Sequence, residues 1–349
     1  MPKPELASII VNAETCHKRT NNSWILSRIL RDFDLWRHPD CDRVEASKLA
    51  KLQEEERERA EMENRQPRTV RIGLRVTVWD YKTASGSGTG DPVYWAGLIV
   101  SLVQLSIAAI PWAIWDEWLT FLITASGTIL AYASGSLPQW VEEKSGVRKL
   151  SFKNPKTDTK AVYLTEGNGA HEAILIVSRH GCIDLEALAA PQRLLRMPQV
   201  TRICCALLAV LWLALLICVA GYDQHTWFLL GVGVLGMLHN AAVCAWRRYP
   251  TAFGIELGYQ QTIAEGKVMQ VLHEVETRFP QAGAALLDEF FSGDLTPREE
   301  LLWRFARIRF EAWKSKGRLM DNEGMPDALL MPSLQRPTNA TNDLDIPLI

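Results

Sequence analysis

The sequence predicts a membrane all-α bundle, with four transmembrane helices in two hairpins, carrying a small cytosolic α+β unit. Three observations predict it. Val93–Trp115 and Trp118–Val141 carry no charge and are separated only by Asp116 and Glu117. Ile203–Tyr222 and Gln224–Trp246 also carry none and are separated only by Asp223. Basic residues gather at the opposite ends of both pairs.

Each stretch reaches the roughly 20 apolar residues that a helix needs to cross a bilayer. A soluble core helix keeps a charged face toward water, and none of the four has one. A Lys, Arg or Asp at mid-membrane costs about 2.5–3.5 kcal/mol, which accounts for their absence. Trp95, Trp112, Trp115, Trp118, Trp140, Trp227 and Trp246 lie near the ends of these stretches. The indole ring is apolar but its N–H needs a partner, so it favours the interface. Trp212 lies deeper, where packing is its expected role.

Orientation follows from the basic flanks. The two short loops contain no Lys or Arg. The other ends carry Arg71, Arg75 and Lys82; Lys144, Arg148 and Lys149; Arg193, Arg196 and Arg202; and Arg247 and Arg248. The positive-inside rule places those ends, both termini and the central loop in the cytosol. Met1–Thr20 has no apolar run suited to a secretory signal, so an early span is expected to direct insertion. Which membrane is occupied is not encoded in span length, because membranes differ in thickness by only a few Å.

The elements in chain order are these. Residues 1–66 form a cytosolic helical, charged segment. Within it Ile25, Ile29, Phe33 and Trp36 share a helical face, which serves either an interfacial helix or a helix docked on a cytosolic domain. Val44–Gln66 is dense in charge and reads as a solvated helix. Residues 67–92 hold a strand and a linker: Val70, Ile72, Leu74, Val76 and Val78 alternate, and Ala84–Gly90 is rich in Ser, Gly and Thr. Residues 93–141 are the first hairpin. Residues 142–202 carry a β-hairpin, with Ala161–Thr165 and Ala173–Val177 flanking Gly167-Asn168-Gly169. Ile174–Val177 is continuously apolar, so this strand is expected to have neighbours on both faces, with Val70–Val78 supplying a third strand. Asp184–Ala190 reads as a short helix stopped by Pro191. Residues 203–246 are the second hairpin.

Residues 247–316 form C-terminal helices. Val268, Val271, Leu272, Val275 and Phe279 have helical spacing. Thr296-Pro297-Arg298-Glu299 is a helix start, with a Thr cap, Pro at the first position and a reciprocal Glu. The helix that follows carries Leu301, Phe305 and Ile308 among Arg304, Arg307, Arg309 and Lys314. It suits either an anionic membrane surface or the cytosolic sheet. Residues 317–349 lack periodicity and read as a disordered tail.

The 349 residues carry a formal net charge of -2, so nucleic acid is not an expected partner. The expected partners are the lipid bilayer, proteins on the cytosolic side and a second copy of the chain. Of seven cysteines, Cys16, Cys41 and Cys182 fall in cytosolic segments and Cys204, Cys205, Cys218 and Cys244 in spans. Structural disulfides are therefore not expected. Cys204, Cys205 and Cys244 lie at cytosolic span ends and are candidate palmitoylation sites. The sequons at Asn21 and Asn339 fall on the cytosolic side, where they would stay unused.

No cofactor, metal or catalytic signature emerges. Gly231-Val232-Gly233-Val234-Leu235-Gly236 matches GxGxxG, but it lies inside a span, where close helix packing explains glycine better. Gly127, Ala131 and Gly135 repeat at four-residue spacing in the second span, as a contact face would. His171-Glu172 and His273-Glu274 begin like HExxH, yet Leu175 and Thr277 stand where the second ligand belongs. His38-Pro39-Asp40-Cys41 lacks metal spacing. The weak catalytic candidates are Asp116, Glu117 and Asp223, beside His225 at the exoplasmic mouth, and His239, paired in sequence with Asn240 inside a span.

Leu164-Thr165-Glu166-Gly167-Asn168-Gly169-Ala170-His171, Ile183-Asp184-Leu185-Glu186-Ala187-Leu188-Ala189, Lys267-Val268-Met269 and Phe290-Phe291-Ser292-Gly293-Asp294-Leu295 resemble motifs of uncharacterised multi-spanning membrane proteins of filamentous fungi. The resemblance runs from Trp79 to Trp313. It implies an integral membrane protein in a fungal setting, carries no site residue, and links only weakly to secondary metabolism. Three functions stand: a non-enzymatic scaffold or accessory protein with a cytosolic interaction surface; a membrane enzyme acting on a lipophilic substrate through Asp116, Glu117, Asp223 or His239; and a transporter or channel subunit. Orientation is checked by inserting a glycosylation acceptor into the Gly221–His225 loop. It should be modified, and an acceptor in the central loop should not; the reverse pattern inverts the topology.

Overall fold

The structure, a computed structural model, describes residues 4–82, 91–137, 148–154, 158–190, 199–291 and 293–315. The expected Ala84–Gly90 linker, the last residues of the second expected span, Pro191 and the tail from 317 onward lie outside the described residues.

A mixed six-stranded sheet organises the chain. Its strands are β1 (Ile9–Asn12), β2 (Lys18–Thr20), β3 (Leu74–Lys82), β4 (Lys160–Thr165), β5 (Glu172–Ser178) and β6 (Glu256–Glu265), in the order β2-β1-β4-β5-β3-β6. β3 runs parallel to β5, and the other neighbours are antiparallel. The predicted hairpin is β4–β5, and its loop uses positive φ at Gly167 and Gly169. β3 begins at Leu74, not at Val70, because its neighbour β6 ends at Glu265. Beyond that register Gly73 lies against Gly266; a Cβ on Gly73 would stand 2.7 Å from the Gly266 carbonyl oxygen.

Successive residues of the central strands enter opposite cores, as a period of two requires. Ala173, Leu175 and Val177 of β5 face one core; Ile174 and Ile176 face the other. The first core is closed by α9 (Val268–Arg278), α10 (Ala282–Phe290) and α11 (Pro297–Ser315). The second is closed by α1 (Trp24–Arg31), α2 (Phe33–Trp36) and α6 (Leu185–Ala189). The result is a three-layer α/β/α sandwich. α1 and α2 bury Ile25, Leu26, Ile29, Leu30, Phe33 and Trp36, so this segment docks on the sheet. The highly charged α3 (Pro39–Met62) lies beside the edge strand β6, with a Lys48–Glu265 ion pair and Leu52 near Gly266. That covers one sheet edge against pairing with another chain.

The capping box of α11 forms: Glu299 N–H donates to the Thr296 hydroxyl at 3.4 Å and Thr296 N–H to the Glu299 carboxylate at 2.9 Å. Its buried face matches the expected one only at Phe305, which packs against the core. Trp303, Ala306 and Phe310 pack on the sheet and Leu302 is buried, while Leu301 and Ile308 stay exposed. The larger rings win the core because they remove more apolar area from water.

Two strands at the N-terminus and β6 after the last expected span were not anticipated. β6 hides itself through a bulge. Val78 pairs with Gln261 and Trp79 with Tyr259, leaving Gln260 as the extra residue. Leu257 and Tyr259 therefore meet one core and Ile263 the other, so the alternation loses its phase.

Four apolar helices leave the sandwich: α4 (Pro92–Trp115), α5 (Leu119–Gly135), α7 (Gln199–Ala220) and α8 (Thr226–Ala245). α4, α7 and α8 are long and apolar enough to cross a membrane. α5 has 17 residues, so the second expected span is shorter than the reading to Val141. At 1.5 Å per residue it extends about 25 Å. α4 packs on α5 and α8, and α5 also packs on α7 and α8. Leu207, Leu213 and Ile217 are more than half exposed, a display of apolar surface that soluble monomers avoid.

The C-terminal layer rests on one buried ion pair. Glu276 and Arg309 are fully buried, 3.3 Å apart, and Arg309 also donates to the Glu276 carbonyl. The Glu276 carboxylate accepts from the N–H groups of Gln281 at 2.8 Å and Ala284 at 3.1 Å. Gly283 lets α10 approach: a Cβ there would lie 2.1 Å from the Leu272 carbonyl oxygen. Gly283→Ala should cost about 1–3 kcal/mol. Glu276→Gln should cost about 3–5 kcal/mol by leaving Arg309 buried and unpaired. Thermal unfolding of the purified chain in detergent checks both.

Candidate functional site

The helix layer carried by α1 meets the apolar helices at one junction. α8 ends at Ala245, and its last carbonyls have no partner within the helix. Arg28 and Arg31, one turn apart on α1, supply partners. Arg28 Nη1 donates to the Trp246 carbonyl at 3.3 Å; Arg31 donates to the Cys244 and Trp246 carbonyls at 3.4 Å each. Cations are favoured there by the negative end of the helix dipole.

The two arginines are balanced on their other side. Glu5 lies 3.2 Å from Arg28 Nε and 2.6 Å from Arg31 Nη1, and Arg31 Nε donates to Asp32 at 2.8 Å. Arg28 is buried, and that burial lowers its pKa. Arg31 is opposed by burial too, but its hydrogen bond to Asp32 and the charges of Asp32 and Glu5 raise its pKa. Asp32 also accepts the Arg248 backbone N–H at 2.9 Å. Arg248 Nη1 reaches Asp91 at 3.1 Å, and Asp91 caps α4 by accepting the Val93 N–H at 3.1 Å. One polar chain thus ties α1, the end of α8 and the start of α4.

A cleft of about 460 Å³ opens beside it, lined by Leu35, Asp91, Pro92, Trp246, Arg247, Arg248, Tyr249, Thr251 and Ala252. That volume is ligand-sized.

A second polar cluster lies on the same end of the sheet. Lys160 stands 2.7 Å from Asp184 and 2.8 Å from Glu186; Arg148 reaches Asp184 at 3.1 Å, and Asn12 donates to Glu186 at 2.8 Å. Burial pushes the Asp184 carboxyl up, but Lys160, Arg148 and the Ala187 N–H outweigh it and hold its pKa below the ordinary value. Glu186 is lowered in the same way by Lys160 and Asn12 against burial. Asp184 also caps α6, which explains the helix start seen in the sequence. The arrangement neutralises and orders the α6 turn.

The sequence candidates are distributed as follows. Asp116 adopts positive φ and caps the end of α4; Glu117 N–H returns to the Pro111 carbonyl. His225, also at positive φ, stacks on Trp115 at 4.4 Å, and Thr120 bonds the Tyr222 hydroxyl at 2.7 Å. These contacts bring the two short loops together through their aromatic residues. Asp223 is exposed. Within the bundle, a Cβ on Gly97 of α4 would lie 3.6 Å from His239 Nε2. Gln104 donates to the Val232 carbonyl at 2.9 Å and crowds Gly236, while Gly231 and Gly233 face open space. Gly127 meets Leu215, and Gly135 meets nothing. Trp212 donates to Ser134 at 3.3 Å.

Cys205 and Cys244 are exposed, and Cys204 is partly so. His38 builds the start of α3: its Nδ1 accepts the Asp40 N–H at 3.3 Å and its ring stacks on Tyr259 at 4.5 Å. Cys41 is buried beneath it, and that burial raises its pKa. Among the described residues no cluster of three His, Cys, Asp or Glu side chains is arranged to hold a metal.

No known protein family, curated protein or solved structure matches the chain.

The Asp184 cluster makes stability sensitive to acid. Its folded pKa lies below the unfolded value of about 3.9, so its contribution is complete above that value and fades as pH falls through the folded one. Asp184→Asn should therefore destabilise the chain near neutral pH, with the difference from wild type shrinking below about pH 4. Denaturation in detergent across pH measures it, and a difference independent of pH would remove the assignment.

Proposed function

We propose that the chain is a four-span membrane scaffold whose α/β/α sandwich forms a cytosolic interaction platform. The observation that carries this reading is the register of the sheet. Tyr81 pairs with Ser178, Ser178 with Lys160, and Lys82 with Glu256. Every connection to an apolar helix thus departs from or returns to one end of one sheet.

Parity follows. β3 and β4 belong to the same folded body, and the α4–α5 hairpin lies between them in sequence. If α4 crosses the bilayer, α5 must bring the chain back, although it is short for a core about 30 Å thick. Local thinning or flanking residues accommodate such mismatch at modest cost. The same reasoning applies to α7 and α8 between β5 and β6. Both terminal segments pack on this sheet and so share its side, and the basic flanks assign that side to the cytosol.

The platform presents two exposed faces. α11 displays Leu301 and Ile308 with Arg304 and Arg307 between them, on the layer opposite the one that clasps α8. α3 buries only Cys41 and Ala60 of its residues. A folded body of this size, fastened to the spans by the Arg28–Arg31–Asp32 clasp, suits holding partners near a membrane. The fungal setting rests on the motif resemblance.

Two measurements test the proposal. An acceptor-bearing insertion between Asp116 and Glu117 should be glycosylated, whereas one in the Glu166–His171 loop should not. Failure of the first, with modification at Gly221–His225 retained, removes the first hairpin. Alanine at Asp116, Glu117, Asp223 and His239 should leave the cellular phenotype intact, while Leu301→Asp with Ile308→Asp should abolish it at unchanged abundance. The opposite outcome favours a membrane enzyme or transporter.

A further inference from the structure

We propose that the cleft at the end of α8 binds the phosphate group of a net-anionic glycerophospholipid. This rests on the reading that α4 and α8 cross the bilayer. Three features carry it.

The first is charge. Around the junction Arg28 and Arg31 are matched by Glu5 and Asp32, and Arg248 is matched by Asp91. Arg247 lines the cleft, is exposed, and has no ion-pair partner among the described residues. The balance leaves one positive charge, which suits a lipid carrying one net negative charge better than a polyphosphorylated headgroup.

The second is unused hydrogen-bonding capacity. The buried Arg248 Nε makes no hydrogen bond. Asp91 holds Arg248 through Nη1 alone, its other carboxylate oxygen capping α4. Guanidinium groups bind phosphate oxygens through paired N–H donors, and the exposed Arg247 offers such a pair to a phosphodiester, with the charge of Arg248 behind it. Thr251 adds a hydroxyl to the same wall.

The third is position. Trp246 ends α8 and Pro92 begins α4, so the cleft sits where both helices leave hydrocarbon. Trp246 and Tyr249 are more than half exposed beside it, as interfacial aromatics are. Leu35, Pro92 and Ala252 make the remaining wall apolar. A free phosphate ion gains nothing from such a wall; the glycerol and first acyl carbons of a lipid do.

Native mass spectrometry of the full chain in detergent tests this with phosphatidylserine and phosphatidylcholine as probes. Phosphatidylserine should be retained over phosphatidylcholine. Arg247→Gln, which touches no structural ion pair, should weaken that retention roughly five-fold, the usual effect of one basic side chain near an anionic surface. Asp91→Asn keeps a capping side chain while removing the negative charge, and should strengthen it. Equal retention of both lipids, or an Arg247→Gln protein indistinguishable from wild type, overturns the proposal. Displacement by inorganic phosphate at matched concentration also overturns it, in favour of a soluble anion. Alkaline carbonate extraction separates this from the preceding reading. A chain that resists extraction yet shows no lipid preference loses the cleft assignment and keeps the spans; a chain that is extracted loses both.

Discussion

An open sheet cannot straddle a bilayer, and this constraint organises the whole chain. Strands exchange hydrogen bonds with their neighbours and present side chains on both faces, so all six must share one aqueous compartment. The apolar helices have the opposite preference, since their exposed Leu, Ile and Trp side chains gain free energy on leaving water. The chain reconciles them by inserting each hairpin between strands and attaching both at the same sheet end. Loops Asp116–Glu117 and Gly221–His225 are then the remote tips, pinned to each other by the Trp115–His225 stack and the Thr120–Tyr222 hydrogen bond.

That attachment would be a loose tether without the junction. The carbonyls at the end of α8 would otherwise depend on water or lipid headgroups for partners. Arg28 and Arg31 satisfy them from a helix whose other face is the apolar core of the sandwich. Movement of α8 is therefore opposed by displacement of α1, and through it by the Ile25, Leu26 and Ile29 contacts with the sheet. The cleft lies against this clasp, so whatever occupies it touches both the spans and the sandwich. An anionic lipid there would act as a further fastening between them, sensitive to the composition of the leaflet.

Parts of the fold were legible in the sequence because the physics behind them is local. The β4–β5 turn needs glycine at positive φ, and Gly167 and Gly169 announce it. The Thr296–Glu299 capping box closes within one turn. The continuous apolar run of β5 implied two cores, and there are two. Other parts left no readable trace. β1 and β2 are too short for a period to develop, and the bulge at Gln260 inverts the phase of β6 midway. On α11 both Leu301/Ile308 and Trp303/Ala306/Phe310 are plausible apolar faces, and only the shape of the opposing sheet selects between them.

The junction shows the same division. The basic pair Arg247–Arg248 and the polar face of α1 were both visible as patterns, yet their meeting spans a separation of more than 200 residues, over which a linear sequence holds no distance information. Alone, the sequence determined which segments are apolar enough to favour hydrocarbon and which of their ends carry basic residues, because transfer free energy depends on composition and length. Only the tertiary structure decided which strands share the sheet, which helix faces are buried and which arginines remain without a counter-charge. Those outcomes depend on where distant groups come to lie, and long-range packing alone sets that.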